Sequence, residues 1–318
     1  MANSGDDDGS GFTIKDMRPE HVEDAGRALF TAFYVDSLAT GVPPTYNVAS
    51  PEQGSSLLES FLSQPAVYKV VAVDAAGKVL GGACMQSGDA YVHAIGPLFV
   101  SPNSADRGVG KTLMRSLIEH ARKLNAPSIR LTTSAANRKS FCLYISLGFR
   151  PVECTSAFFG TVHPDAGECA AFAVGISTEG ISTRKMEEAD VKVCAEIYSK
   201  GMGYDREDDI KAMLTKSPER CWVATTEDNT ILGYTTGLFL AGHTMTTSEA
   251  AWVAVVSRAI KEKDGDVSGI SIPGVLYPRL IKWALAMKLV LARHSWYMVI
   301  GKYQRPKDDF YWSPSTYH

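Results

Sequence analysis

A glycine-containing loop between a strand and a helix restricts the fold of this chain more than any other stretch. Residues 104–112 read SADRGVGKT, and they lie between the apolar strand pattern AIGPLFVSP and an amphipathic helix pattern that begins at Val109. Glycine lets consecutive backbone N–H groups approach a ligand closely, and the N-terminus of a helix carries a partial positive charge. The loop therefore predicts a binding site for a phosphate-containing ligand in an α/β fold.

The same letters also fit the end of a nucleotide-binding P-loop, whose pattern is G-x-x-x-x-G-K-S/T. Gly110, Lys111 and Thr112 match that pattern, but Ala105 occupies the position of its first glycine. A P-loop follows the first strand of its domain, whereas this loop follows a later strand. The next strand pattern, SIRLTTS, also ends without the carboxylate that would help to hold Mg²⁺. These departures disfavour a P-loop nucleoside triphosphatase.

Composition and charge argue against several other classes of protein. The chain has 318 residues, enough for two ordinary domains, with 45% hydrophobic and 21% charged residues. Its formal charge of −3 offers no electrostatic basis for binding nucleic acid or an anionic membrane. No apolar run reaches the roughly 20 residues that cross a bilayer. The six cysteines form no metal-binding pattern, so we expect no metal ion and a reducing, cytoplasmic location.

Hydrophobic periodicity predicts a mixed α/β sheet in the amino-terminal half. The strand patterns are FTIKDM, YKVVAVD, VLGGACMQ, AIGPLFVSP and SIRLTTS. Besides the helix after the glycine loop, helices are predicted for the stripe of Val22, Ala25, Leu29 and Phe33, for the short LLESFLSQ and for NRKSFCLYISLGF. We expect TGVPPTYNVASPEQGSS to be a loop, and PVECTSAFFG and AAFAVGI to form a closing pair of strands.

A faint internal repeat divides the chain. FTIKDMRPEHV resembles ISTRKMEEADV, and VVAVDAAGKVLGG resembles WVATTEDNTILGY, in the same order along the sequence. The repeat predicts a first domain at residues 12–176 and a second domain of related fold at residues 177–318, after an acidic disordered tail at residues 1–11. No glycine-rich loop precedes a helix in the second domain, so we expect the phosphate site in the first domain only.

Two motifs of the first domain together resemble the GCN5-related N-acetyltransferase (GNAT) family. In RGVG, Gly108 and Gly110 match the family loop Gln/Arg-x-x-Gly-x-Gly/Ala, although Ala105 stands where the family usually has Gln or Arg. The second motif is an Asn followed by a Tyr and then by a Gly-Phe pair, here Asn137, Tyr144, Gly148 and Phe149. The resemblance covers residues 12–176 and, more faintly, the repeat. It implies acetyl-CoA as the cofactor and two domains, each a twisted mixed sheet flanked by helices.

The resemblance also implies roles for individual residues. The loop and the helix start would hold the pyrophosphate of acetyl-CoA through backbone N–H groups and positive charge, at Arg107, Gly108, Val109, Gly110, Lys111 and Thr112. The strand of Leu98, Phe99 and Val100 would pair with the pantetheine arm where the sheet splays apart, as in strand addition. Asn137 would hydrogen-bond the pantetheine or cap a helix, and Tyr144 would protonate the leaving thiolate or be a core aromatic.

No motif identifies the general base. Many GNAT proteins carry Glu just ahead of the corresponding strand segment, where this chain has Pro97. By strand alternation, His93 shares a face with Pro97 and Phe99, so His93 is nominated as the base, with a structural histidine as the alternative. If the amine loses its proton in solution, no base is required.

These features favour an acetyl-CoA-dependent N-acetyltransferase that acts on the primary amine of a small molecule by direct attack on the thioester. Two alternatives are acetylation of a protein N-terminus or lysine, and a non-catalytic acyl-CoA-binding or regulatory protein. The second domain either covers part of the first domain or lines the acceptor site. The sequence names neither the acceptor nor the oligomeric state.

Overall fold

A computed structural model describes residues 11–41, 48–87, 91–238 and 242–315. The predicted tail at residues 1–11 lies outside the described residues apart from Gly11. The chain divides into two compact units. Unit 1 contains the residues up to Arg150 together with Met298–Gly301, and unit 2 contains Pro151–Tyr297 together with the residues from Lys302 onward. The domain bounds at residues 12–176 and 177–318 stay a prediction.

Unit 1 has the alternation of strands and helices that its sequence predicts. Its strands are β1 (Phe12–Asp16), β2 (Val67–Asp74), β3 (Val79–Gln86), β4 (Val92–Val100) and β5 (Ser128–Ser134). Its helices are α1 (Val22–Thr40), α2 (Pro51–Leu62), α3 (Val109–Lys123) and α4 (Arg138–Ser146). The strand order is β1-β2-β3-β4-β5, antiparallel from β1 to β4 and parallel between β4 and β5. The crossover helix between these two parallel strands is α3, which follows the glycine loop.

Helix α2 begins earlier than the sequence analysis expected. The stretch ending in SPEQGSS was assigned to a loop, but the helix begins at Pro51. Ser50 caps it by accepting a hydrogen bond from the N–H of Gln53 at 3.2 Å. The Gln53 side chain in turn accepts a hydrogen bond from the N–H of Ala49 at 3.0 Å. The loop prediction was wrong over residues 51–56, because this capping signal, with proline at the first helical position, was read as turn chemistry. Residues 42–47 of the predicted loop lie outside the described residues.

Unit 2 holds the other elements. Its strands are β6 (Arg150–Thr161), β7 (Ser182–Lys185), β8 (Trp222–Thr225), β9 (Ile231–Thr235), β10 (Thr244–Thr246), β11 (Asp266–Pro273), β12 (Val290–Gly301) and β13 (Tyr311–Ser313). Its helices are α5 (Ala166–Ala173), α6 (Val191–Met202), α7 (Glu207–Lys216), α8 (Glu249–Lys261) and α9 (Pro278–Ala286). One sheet has the order β13-β10-β9-β8-β7, and β6 lies between β12 and β11. The last residues of β12, Met298–Gly301, belong to unit 1, where β12 neighbours β5.

The predicted closing pair of strands is half correct. PVECTSAFFG forms β6, but AAFAVGI runs through the end of helix α5. A short apolar run does not distinguish a buried strand from a buried helix, because both hide apolar side chains. The prediction of a mixed α/β fold with twisted sheets flanked by helices is confirmed. Within the described ranges, none of the helices has the length and apolar character that crossing a membrane requires.

Helices α1 and α2 cross where two glycines face each other. A Cβ atom on Gly54 would lie 2.5 Å from the carbonyl oxygen of Gly26, and one on Gly26 would lie 2.6 Å from the backbone nitrogen of Ser55. Real Cβ atoms do not approach backbone atoms so closely, so glycine permits this crossing. The crossing matters for function because α1 reaches the site described below.

We predict that Gly54→Ala destabilises the protein by about 1–3 kcal/mol, because the added methyl group forces the two helix backbones apart. The loss should outweigh the gain of about 1 kcal/mol in helix propensity. Urea unfolding followed by circular dichroism measures the change. Glu59→Ala, at an exposed position of the same helix, is the control and should change stability by less than about 0.5 kcal/mol. Equal stability of Gly54→Ala and the wild type would contradict the crossing.

Candidate active site

The glycine loop ends in a helix start that no side chain caps. Gly108 is the N-cap of α3 and has a left-handed backbone with φ of 81°. Apart from its two chain neighbours, no atom of the described residues lies within 4 Å of the position that a Cβ atom on Gly108 would occupy. The first hydrogen bond back to the cap is from the N–H of Thr112 to the carbonyl oxygen of Gly108, at 3.0 Å. The N–H groups of the first turn have no partner within the helix, so they can bind an anion.

The other loop residues hold the start of α3 in place and give it positive charge. Val109 is buried, whereas Arg107 and Lys111 are exposed and offer positive charge. The Lys139 ammonium lies 2.6 Å from the Asp106 carboxylate, which ties the loop to the first turn of α4. A Cβ atom on Gly110 would meet a methyl group of Val100 at 3.4 Å, so α3 begins directly against the end of β4.

Within the part of the chain that the structure describes, the end of β4 has a sheet neighbour on one side only. Strand β4 pairs with β5 from Val92 to Ile95, and this parallel pairing stops at Ile95 and Leu131. The segment of Leu98, Phe99 and Val100 continues to pair with β3 on its other side. The edge of this segment that faces away from β3 therefore presents backbone groups to which an extended ligand can bind as an added strand. The contact of this segment with pantetheine, which the family resemblance implies, stays a prediction.

Asn137 is the N-cap of α4 and Tyr144 lies within this helix, whose Leu143 side chain would approach a Cβ atom on Gly110 to 3.6 Å. The Asn137 side chain caps α4, because its Oδ1 accepts a hydrogen bond from the N–H of Ser140 at 2.9 Å. Its Nδ2 donates a hydrogen bond to Oδ1 of Asp36 at 2.7 Å. The capping role considered in the sequence analysis is therefore present, and a contact with pantetheine stays a prediction. Tyr144 is buried and stacks edge-on against Phe149, with ring centroids 6.0 Å apart.

The surroundings of Tyr144 keep its hydroxyl protonated. Burial raises the pKa of Tyr144 to about 12, a hydrogen bond with the Ser140 side chain lowers it, and the negative charge of Asp36 raises it. Both burial and a neighbouring negative charge disfavour the phenolate. The hydroxyl is therefore a proton donor at neutral pH, as a general acid must be.

The nomination of His93 as the base rested on a shared strand face, and the register of β4 does not support that premise, so the role of His93 stays a prediction. On β3, Ala83 pairs with Leu98, but Met85 pairs with Ile95, so two residues of β4 oppose one residue of β3. This β-bulge reverses the alternation of side chains. His93 accordingly lies on the face of Leu98, opposite to Phe99, and it is buried. Strand parity predicts a shared face only while the pairing is uninterrupted.

Asp36 is a candidate site residue that the sequence analysis missed. It is half-buried and lies on the stripe of α1 that includes Leu29, Phe33 and Thr40. The spacing that identified Leu29 and Phe33 as core positions places Asp36 on the same face of the helix. A carboxylate on a core-facing stripe is unusual, and this signal was available in the sequence.

Comparisons with known proteins agree with this geometry. Residues 35–149 match the family model described as Acetyltransferase (GNAT) family. This segment extends from the second half of α1 to the end of the second motif, so it contains the loop, the β4 edge, Asn137 and Tyr144. The chain carries a GNAT acetyltransferase domain. A comparison with curated proteins finds no match.

Solved structures of GNAT proteins have the same fold over nearly the whole chain. A Pyrococcus horikoshii protein described as an acetyltransferase is 19% identical, with a TM-score of 0.68 and coverage of 95% of this chain and 93% of that one. A GCN5-related N-acetyltransferase from Sphaerobacter thermophilus is 16% identical, with a TM-score of 0.62 and coverage of 93% and 96%. A fungal glucosamine N-acetyltransferase region within a multi-domain β-N-acetylglucosaminidase is 14% identical, with a TM-score of 0.57, and the match covers 91% of this chain and 38% of that one.

In unit 2, the outer edge of β10 and the start of α8 take the places that the β4 edge and the start of α3 have in unit 1. The backbone groups there are bound by other parts of unit 2. Strand β13 pairs with the edge of β10 that faces away from β9. Ser313, in β13, donates a side-chain hydrogen bond to the carbonyl oxygen of Ser271 at 2.6 Å. The helix after β10, α8, is capped by Ser248, whose Oγ accepts a hydrogen bond from the N–H of Ala251 at 3.1 Å. The strand edge and helix start that are open in the GNAT domain are thus occupied by the chain itself in unit 2.

We predict that Tyr144 titrates well above ordinary tyrosines. In protein labelled at the tyrosine Cζ carbon, its NMR signal should keep the chemical shift of a neutral phenol at pH 10.5, where exposed tyrosines are largely ionised. The Tyr144→Phe variant assigns the signal by its disappearance. A Tyr144 signal that titrates near pH 10 would contradict the buried, protonated hydroxyl.

Proposed function

We propose that the protein is an acetyl-CoA-dependent N-acetyltransferase whose active site lies in the GNAT domain of unit 1. The observation that carries the proposal is the open, left-handed Gly108 at an uncapped helix start beside the one-sided edge of Leu98–Val100. A pyrophosphate and an extended amide-containing arm require these two features side by side. The match to the GNAT family model over residues 35–149 supports the same conclusion.

The residues present fit acetyl-CoA. The open space at Gly108 would accept the pyrophosphate, and the N–H groups of Val109, Gly110 and Lys111 would bind its oxygens, with charge from Arg107. The backbone of Leu98–Val100 would bind the pantetheine amides. When bound, acetyl-CoA supplies an acetyl group activated as a thioester. The Gln or Arg that the family usually has at the position of Ala105 is missing, so side-chain contacts to the pyrophosphate are fewer here.

Tyr144 would act as the general acid. A phenol that stays protonated at neutral pH can donate its proton to a departing thiolate, and proton transfer by a positioned side chain contributes about 10²–10⁴-fold to rate. The helix cap formed by Asn137 fixes the first turn of α4, the helix that carries Tyr144.

We assign a primary amine of a small molecule as the acceptor, with a protein amine as the alternative. Unit 2 would take no part in binding acetyl-CoA, because β13 and Ser248 satisfy the backbone groups that would hold it. A non-catalytic acyl-CoA-binding protein is the second candidate function, and it is favoured by the absence of a titratable side chain at Pro97. The two candidate functions differ in whether adding an amine to the protein and acetyl-CoA releases the free thiol of coenzyme A.

We predict that Gly108→Val abolishes acetyl-CoA binding, because the side chain fills the space that the pyrophosphate requires. Gly77→Val is a matched control, since Gly77 has φ of 82° and no atom of the described residues, other than its chain neighbours, lies within 4 Å of its Cβ position. Both variants place valine at a left-handed φ, 82° at position 77 and 81° at position 108. Acetyl-CoA should raise the melting temperature of the wild type and of Gly77→Val but not of Gly108→Val, and ATP with Mg²⁺ should raise none of them. Retained affinity in Gly108→Val would refute the site.

We also predict that Tyr144→Phe lowers kcat for thiol release by about 10²–10⁴-fold while acetyl-CoA affinity stays within about threefold. The assay measures free thiol from acetyl-CoA with a panel of amines: a monoamine, a polyamine, glucosamine and a lysine peptide. Tyr68→Phe removes a hydroxyl elsewhere in unit 1, near Ser116, and should keep full activity. Acetyl-CoA binding without thiol release by the wild type with any amine would favour the non-catalytic function.

A further inference from the structure

The β4 segment that would bind the pantetheine arm lies against two glycines of β3. Phe99 pairs with Gly82, and Val100 pairs with Gly81. A Cβ atom on Gly82 would lie 2.6 Å from Cζ of Phe99 and 3.1 Å from its Cε1. Because Cζ is the far end of the ring, the Phe99 side chain points across β3. It therefore points away from the outer edge of β4, the edge of Leu98–Val100 that faces away from β3.

The surroundings of the Phe99 ring limit where else it can lie. Phe99 is 2% exposed, so the ring belongs to the close-packed interior. Val100 faces the start of α3, where a Cβ atom on Gly110 would meet it, and strand neighbours alternate, so Phe99 lies on the opposite face of the sheet. Beside Phe99 on this face are β3 on one side and the outer edge on the other. A ring displaced from Gly82 therefore moves towards the outer edge.

The proposed position of the ligand gives its direction along β4. Its pyrophosphate would lie at Gly108, beyond the carboxyl end of the strand. An arm bound to the outer edge then runs from Val100 back towards Leu98, and the thioester with its acyl group comes last. Phe99, the middle residue of the segment, borders the part of the arm next to the thioester. A Phe99 ring at the outer edge would compete with the acyl end of the ligand for space.

Unit 2 has the same close strand contact without the second glycine. A Cβ atom on Gly233 would lie 2.5 Å from the carbonyl oxygen of Met245, and one on Gly81 would lie 2.5 Å from that of Phe99. The residue that follows Gly233 is Tyr234, which is buried, whereas unit 1 has a second glycine at the corresponding position. The close approach of the two strands thus requires the first glycine but not the second. The second glycine of unit 1 serves another purpose.

We propose that Gly82 is a positioning residue for the acyl group: it holds the Phe99 ring over β3 and so keeps the outer edge of β4 clear for the acyl end of the ligand. This inference rests on the proposed binding of acetyl-CoA in unit 1. It makes the contact between Gly82 and Phe99 the feature that limits the size of the acyl group. The pyrophosphate and the arm are bound by backbone groups and do not depend on this contact.

The test measures the affinities of free coenzyme A, acetyl-CoA and butyryl-CoA by titration calorimetry, so it does not depend on the acceptor amine. In Gly82→Ala, the added methyl group meets the far end of the Phe99 ring, which can turn, and lies 3.2 Å from the carbonyl oxygen of Val70, which a small shift relieves. We expect the affinity for free coenzyme A to stay within about threefold, and the affinities for both acyl ligands to fall by about tenfold or more. Gly77→Val, in the turn before β3, is the control and should bind all three ligands like the wild type.

Two further variants separate positioning of the ring from a general loss of structure. Leucine lacks the Cζ atom that the new methyl group displaces, so Phe99→Leu in the Gly82→Ala background should return both acyl-CoA affinities to within about threefold of the wild type. Gly81→Ala is the contrast, because its Cβ atom would meet the backbone of β4 instead of a ring. Gly81→Ala should lower the melting temperature and weaken free coenzyme A and the acyl ligands together.

The inference is overturned if Gly82→Ala leaves all three affinities unchanged or weakens them equally, or if Phe99→Leu restores nothing. Should Gly82→Ala fail to fold, Phe99→Trp gives the same test without a change in β3, since its larger ring does not fit over Gly82. Phe99→Trp should also weaken the acyl ligands and spare free coenzyme A, and an equal loss for all three would again overturn the inference. A wild type that binds none of the three ligands overturns the proposed function, and the role of Gly82 with it.

Discussion

The candidate site depends on the place where β4 and β5 stop pairing. Parallel strands that separate after Ile95 and Leu131 leave the backbone of Leu98–Val100 with a neighbour on one side only, and α3 begins directly beyond this segment. Backbone N–H and C=O groups must find partners, and so must the first N–H groups of a helix. One ligand with amides at one end and phosphates at the other can satisfy both sets of groups.

In unit 2, the corresponding backbone groups find their hydrogen-bond partners within the chain itself. Strand β13 covers the outer edge of β10, and the Ser248 side chain caps α8. The difference between the two units therefore lies less in the arrangement of strands and helices than in what satisfies the backbone at one strand edge and one helix start. Gly108 cannot cap a helix with a side chain, whereas Ser248 can, and this single difference in chemistry leaves one helix start open and the other occupied.

Local sequence patterns predicted individual helices and strands, whereas the pairing of strands distant in the sequence could not be predicted. The amphipathic spacing from Val109 and the strand pattern SIRLTTS identified α3 and β5, because each element shows its buried face in its own residues. The strand partners could not be predicted in this way. The neighbour of β5 in unit 1 is the end of β12, far along the chain, while AAFAVGI, expected to be the closing strand, runs through the end of a helix. A pattern of alternating side chains does not specify which strand lies alongside.

The sequence by itself determined the mixed α/β class, the glycine loop at a helix start and the Asn137–Tyr144 spacing, since each of these is a local property of consecutive or helically spaced residues. Only the tertiary structure decided which side chains meet. The bulge opposite Cys84 moved His93 to the other face of β4, and the packing of α1 brought Asp36 to within hydrogen-bonding distance of Asn137, about a hundred positions later in the chain. Contacts of that kind depend on register and helix crossing, which are set by the whole core rather than by any one segment.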